Sequence, residues 1–161
     1  MTELEIRAAA PTDTSRVVRI FQDARRAAMP WLPTIHSDAE DQVFFGRTVA
    51  SGHAVVAVHD GEVVGFAAVD PDAHLLDHLY VDPSVHRRGI GRRLVDHVRA
   101  EHEGSLQLWA FTENRSARAF YAALGAVELY ETDGSGNEER TPDVRLELPA
   151  WGAGPGEREA Q

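Results

Sequence analysis

The chain contains no cysteine, which excludes disulfides, thiolate metal ligands and a cysteine nucleophile, and with the last any covalent thioester formed on the protein itself. Lysine is absent too, so every side-chain cation other than a protonated histidine is an arginine. Positive charge is scarce overall. Against 26 acidic residues stand 16 basic ones, a formal net charge of −10. That balance argues against a generic nucleic-acid binder, which needs a basic face to neutralise phosphates, but leaves room for a small anionic ligand. No stretch approaches the ~20 apolar residues of a membrane span, and "MTELEIRAAAPTDTS" holds no apolar core of signal-peptide length, so a cytoplasmic location is expected. What remains, 161 residues of which 43% are hydrophobic, suits one domain with a real core.

The patterning mixes strands and helices. "LEIRAA" alternates like a short strand, and a helix follows with Val17, Ile20, Phe21 and Ala24 at helical spacing behind Asp13 or Thr14 as cap. "PWLPTIH" reads as a loop in which Trp31 either lines a pocket or anchors the loop on the core. The next helix has Ser37 or Asp38 as cap. Two apolar runs meet at Asp60-Gly61, the strongest short hairpin signal in the chain. "HLLDHLYV" is a further strand, stopped at Asp82-Pro83. Then come a helix with Leu94, Val95 and Val98 on one side, the strand "SLQLWAFT", a helix closed by Gly125, and the strands "AVELYE" and "DVRLEL". This order predicts an α+β (mixed α/β) fold, a single twisted mixed sheet of about six to seven strands with helices on both faces.

One stretch breaks a local rule. "VHRRGIGRRL" places Arg87, Arg88, Arg92 and Arg93 where a helix begins, although helix N-termini disfavour cations. A strand ending at Val81, a turn with Gly89 and Gly91, and then a helix can present several N–H groups to phosphate oxygens, with the arginines as counterions. Glycines also occur in such turns for steric reasons alone. The stretch is neither a P-loop, which needs a lysine, nor a dinucleotide fingerprint, which needs a third glycine.

"LYVDPSVHRRGIGRRL" resembles the acyl-CoA-binding segment of the GCN5-related N-acetyltransferase (GNAT) superfamily, whose signature is Q/R-x-x-G-x-G/A at a strand-to-helix turn, with His86 here in the first position. "NRSARAFYAALGA" resembles that family's later motif, and the two stand in the family's order, so the resemblance covers roughly residues 4 to 148. It implies a single acyl-CoA N-acyltransferase domain over 1–148, with 149–161 a flexible tail. It implies that backbone N–H groups of Arg88, Gly89, Ile90, Gly91 and Arg92 hold the CoA pyrophosphate beside His86 and Arg87. By the same resemblance Leu79, Tyr80 and Val81 offer backbone groups to the pantetheine arm, Asn114 touches that arm, and Tyr121 stands near the sulfur as general acid. A homodimer is one assembly the family resemblance leaves open.

Acetyl transfer to an amine needs a neutral amine, a polarised carbonyl and a protonated leaving thiolate. A tyrosine hydroxyl suits the last, its intrinsic pKa lying within about two units of a thiol's, although Tyr121 also reads as an aromatic packing beside Phe120. For the base, strict alternation puts Leu75, Asp77, Leu79 and Val81 on one face of their strand and His74, Leu76, His78 and Tyr80 on the other. Asp77 interrupts an apolar face, and His78 carries an imidazole that titrates near neutrality, so either, directly or through water, is a candidate. A metal held by His74 and His78 is excluded on a strand, where four residues span about 13 Å while zinc ligands sit about 2 Å from the ion. His97 and His102 are expected on the exposed side of the following helix and carry no assigned role. For the acceptor, the resemblance implies a pocket bordered by Met29, Trp31, Asp38, Glu40, Asp41, Glu138 and Glu139, whose carboxylates would attract a cationic amine, although such residues also serve as solvated turns and caps.

The expected function is therefore N-acetyl transfer from acetyl-CoA, a co-substrate, to a primary amine on a small molecule or peptide, by direct attack in a ternary complex without metal, membrane or nucleic acid. The alternative is a catalytically silent acyl-CoA sensor or interaction module of the same fold.

Overall fold

The structure is a computed structural model and describes residues 3–85 and 88–152. Strand β1 (Glu5–Ala8) leads through a one-turn 3-10 helix (Pro11–Asp13) into α1 (Thr14–Ala28). Asp13 precedes α1 but spends its carboxylate on the Ala10 N–H at 2.7 Å and on Arg7 at 2.8 Å, tying the turn rather than capping the helix. Helix α2 (Asp38–Ala50) begins with a reciprocal cap: Glu40 N–H donates to Ser37 Oγ, and Ser37 N–H donates to the Glu40 carboxylate. Strands β2 (Ala54–His59) and β3 (Glu62–Asp70) form the expected hairpin, with Asp60 at φ 52° and Gly61 at φ 77°. Then follow β4 (Leu75–Val81), α3 (Ile90–Glu101), β5 (Leu106–Phe111), α4 (Arg115–Ala123), β6 (Val127–Thr132) and β7 (Asp143–Leu148).

All seven strands join one sheet in the order β1-β2-β3-β4-β5-β7-β6. It consists of two antiparallel blocks, β1 to β4 and β5-β7-β6, joined by a parallel contact that pairs only Leu75 with Gln107. Beyond that rung β4 and β5 separate, so the sheet is split towards their C-terminal ends. One core lies under α3 and α4, built on Leu94, Val95, Leu106, Leu108 and Leu146, and a second lies under α1 and α2, built on Val17, Ile20, Phe45 and Phe66. Of the residues their periodicity nominates, Val17 and Ile20 of α1 and Leu94, Val95 and Val98 of α3 are buried, while Phe21 and Ala24 are half-buried. Gly65 in β3 lets α3 approach closely: a Cβ there would stand 3.1 Å from Leu94 Cδ1 and 3.2 Å from the Tyr80 carbonyl oxygen.

Strict alternation along β4 fails at one place. Ala68 faces His78 while Val69 faces Leu76, so Asp77 is the extra residue of a β-bulge. The bulge reverses the expected side of the residues before it. Leu76 joins Leu79 and Val81 in the α3–α4 core, and Asp77 comes to the same side as His78 and Tyr80. Past β7, Arg99 donates to the Pro149 carbonyl at 2.7 Å and lies over the Trp151 ring at 5.4 Å. Residues 153–161 of the expected tail lie outside the described residues.

Candidate functional site

The split in the sheet creates a cavity of about 390 Å³ that reaches through it. From one face come Ala24, Ala28 and Met29 at the end of α1; from the other come the start of α3 and the α4 residues Ala117, Phe120 and Tyr121; Leu79, Tyr80 and Val81 form the wall between. Because β5 pairs only with the beginning of β4, backbone groups of Leu79 to Val81 on that side have no strand partner and border the cavity.

At the cavity's mouth Gly89 adopts φ 75°, the left-handed region where a glycine is at no disadvantage, and starts α3. The first helical bond runs from Arg93 N–H to the Gly89 carbonyl, which leaves the N–H groups of Ile90, Gly91 and Arg92 without helical acceptors. The first turn carries no acidic residue. These features fit an anionic phosphate group. Gly91 packs close to its neighbours: a Cβ there would lie in contact, 3.4 Å from Phe120 Cζ and 3.7 Å from Val81 Cγ2, with no room for a larger side chain. Arg88 is exposed beside the turn, and Arg92 lines the cavity 4.0 Å from Asp96. Arg93 departs from the counterion expectation, because its guanidinium donates to the Leu4 carbonyl at 3.2 Å and so ties α3 to the chain start. His86 and Arg87 lie outside the described residues.

Asn114 caps α4, its Oδ1 accepting from Ala117 N–H at 3.2 Å, and also lines the cavity. Tyr121 is buried with its ring against Phe120, so its packing role and its place in the cavity wall coexist. Burial, and then Tyr80 nearby, pushes the Tyr121 hydroxyl well above its ordinary value, so it keeps its proton and the near match to a thiol expected from intrinsic acidities is lost.

Tyr80 also faces a second cavity of about 670 Å³ on the α1–α2 side, which takes in Asp77, His78, Phe44, Phe111, Glu138 and Glu139. Here the bulge brings the two candidate bases together. They differ sharply. His78 is packed among Phe44, Phe45, Phe66 and Tyr80, and burial, then Arg25, pushes it down to about 4. It is neutral and weakly basic, which overturns the expectation that it titrates near neutrality. Asp77 is raised by partial desolvation, then by Asp70, and opens on the cavity.

The glutamates are bound into straps across this cavity. His36 Nε2 meets Glu138 at 2.9 Å and its Nδ1 meets Glu40 at 3.3 Å, while Arg25 pairs with Glu139 at 3.2 Å. Glu138, and then Glu40, raises the His36 pKa. Trp31 lines neither cavity; it is 40% exposed and stands edge-on to Phe111 at 6.2 Å, the loop-anchor reading. His74 sits in a turn at φ 54° and meets His102, not His78, with 3.1 Å between Nδ1 and Nε2. His97 and His102 are half-buried rather than exposed. Among the described residues no group of three or more His, Asp or Glu could hold a metal ion, and no helix is long and apolar enough to cross a membrane. Sequence reasoning missed Arg25, His36, Phe44 and Phe111, whose importance comes from elements that meet only in the fold.

Residues 50–125 match the family described as acetyltransferase (GNAT) domain. Over 112 residues the chain is 30% identical to the ribosomal protein bS18-alanine N-acetyltransferase of Salmonella typhimurium, covering 66% of this chain and 70% of that one. The chain belongs to the GNAT superfamily. Its sheet and helices are those of a GNAT fold: the structure of YncA from Salmonella typhimurium, determined with its cofactor acetyl-CoA, superposes with a TM-score of 0.72 at 18% identity, covering 94% of this chain and 96% of that one. The mycothiol acetyltransferase of Clavibacter michiganensis is 40% identical over 101 residues, which is 60% of this chain but 33% of that enzyme, so this GNAT chain spans about a third of that relative's length.

Proposed function

We propose that this GNAT chain is an N-acetyltransferase that moves an acetyl group from acetyl-CoA to a primary amine by direct transfer, with both substrates bound at once, and that residues 1–148 form a single acyl-CoA N-acyltransferase domain. The observation that carries this reading is the pair of cavities that meet at Tyr80, one with a phosphate-suited helix start at its mouth, the other lined by carboxylates. Acetyl-CoA supplies, when bound, an acyl group activated on a thiol leaving group.

The protein's own residues do the rest. The N–H groups of the α3 first turn, with Arg88 and Arg92 beside them, bind the diphosphate, and His86 and Arg87 belong to that site by the family signature. Backbone groups of Leu79, Tyr80 and Val81 orient the arm and polarise the reacting carbonyl, with Asn114 at its flank. Tyr121 holds a proton at Oη for the departing sulfur, and its burial keeps that proton in place. Asp77, exposed on the cavity while His78 is packed among aromatic rings, takes the proton that the ammonium must lose. With no cysteine in the chain, the amine attacks directly.

Calorimetric titration with acetyl-CoA, CoA and 3′-dephospho-CoA, followed by thiol release with a panel of amines, tests this. Micromolar binding weakened by loss of the 3′-phosphate, with turnover, is expected. Binding without turnover on any amine would replace the enzyme by a silent acyl-CoA sensor, and no binding would remove the proposal.

A further inference from the structure

The carboxylates of the second cavity are not equivalent, and their partners select the acceptor. Glu139 is matched by Arg25, Glu40 and Glu138 share His36, and Asp41 accepts from Gln22 Nε2 at 2.9 Å. Asp77 has no hydrogen-bond or ion-pair partner among the described residues. A ligand entering this cavity therefore meets, in Asp77, a carboxylate to which no donor or cation of the described residues is bound. Around it the walls are aromatic: Phe44, 53% exposed, lies edge-on to Phe45 at 5.0 Å and to His78 at 5.6 Å, and Phe111, edge-on to Trp31 at 6.2 Å, lines the same cavity. The half-exposed Phe44 ring offers an apolar face that a ligand entering the cavity can bury. His78 adds to this apolar wall because it carries no charge at neutral pH. Arg47 lines the rim but is exposed, and water screens it.

Building on the acetyl-transfer reading, we infer that the acceptor is a small primary amine with one ammonium, seated on Asp77, and a flat apolar body lying against Phe44 and Phe111. The second cation of a polyamine would have to compete for carboxylates that already hold partners within the fold. An extended peptide would have to cross the Arg25–Glu139 and His36–Glu138 straps, which tie the α1 side to the β6–β7 loop across the cavity. Aromatic faces favour a cationic, flat ligand by stacking and cation–π attraction.

The test compares phenethylamine with spermidine, L-phenylalanine and a lysine-containing peptide, by titration onto the protein without acetyl-CoA and by kcat/KM with it. Phenethylamine is expected to bind the free protein and to exceed the other three in kcat/KM by about tenfold, the worth of one good aromatic or cationic contact. Phe44→Ala, compared as a variant that melts like the parent, is expected to raise KM for phenethylamine by a similar factor, the loss appearing in KM rather than kcat. Asp77→Asn is expected to abolish amine binding while acetyl-CoA still binds. Preference for spermidine, L-phenylalanine or the peptide, or an unchanged KM in Phe44→Ala, would overturn the inference. Failure to bind acetyl-CoA would instead overturn the transfer reading, and the titration of free protein with phenethylamine would still decide the acceptor, absence of binding counting against it.

Discussion

Tyr121 and Asp77 sit in unlike surroundings, and their surroundings assign them opposite proton states. Tyr121 is enclosed by apolar neighbours that disfavour the phenolate, so it can only donate. Tyr121→Phe keeps the ring and removes the donor; kcat is expected to fall by about a hundredfold, within the range of general acid catalysis, while acetyl-CoA affinity measured calorimetrically changes little. Equal turnover in the two proteins would end the acid assignment. Asp77 must be ionised to accept a proton, and its pKa is raised by burial and then by Asp70, so kcat/KM should decline on the acid side at a higher pH than an ordinary aspartate would give. A pH–rate profile checks this. The limb should vanish in Asp77→Asn along with most of the activity, and no limb should appear near 6.5, because His78 has been moved down to about 4.

At the scale of elements, the strand-to-helix turn before α3 uses its two glycines for different reasons. Gly89 is needed for its backbone: a Cβ there would meet nothing within 4 Å, but φ 75° disfavours any L side chain. Gly89→Ala is therefore expected to lower unfolding free energy by about 1 kcal/mol in chemical denaturation while acetyl-CoA still binds. Gly91 is needed for its space. At 3.4 Å from Phe120, an alanine Cβ makes ordinary contact, but the branches of valine do not fit without displacing Phe120 into the cavity. Gly91→Ala should retain acetyl-CoA binding and Gly91→Val should weaken it by about tenfold or more, in titrations of variants that melt like the parent. The β4 bulge is the second decisive element, since without it Asp77 would face the opposite side of the sheet.

For the whole molecule, a sheet held at its middle by one parallel rung lets two cavities approach each other through the split, with Tyr80 common to both. The same burial that shapes the acceptor side links stability to pH. His78 is held near 4 when folded and titrates at 6.5 when unfolded, so between those values the unfolded chain binds more protons. Stability contributed by this group is then complete above about 6.5 and is lost as pH falls towards 4. Melting temperature should drop across that window, and His78→Phe, which keeps an aromatic in the wall, should flatten the drop. A parallel decline in both proteins would assign the acid sensitivity to other groups.

Much of this was legible locally. Helix faces such as Leu94, Val95 and Val98, the Asp60-Gly61 hairpin, the glycine turn and the Ser37 cap were readable because each depends on residues a few positions apart, where propensity and periodicity act. The motif that named the family was likewise contiguous. Tertiary structure alone decided which carboxylates were free and which were answered, since Arg25, His36, Glu138 and Glu139 come from segments about a hundred residues apart whose contact no local pattern encodes. It decided the side on which Asp77 emerges, because a bulge depends on the register of the partner strand, and the acidity of His78, because desolvation is a property of the packed neighbourhood rather than of the imidazole.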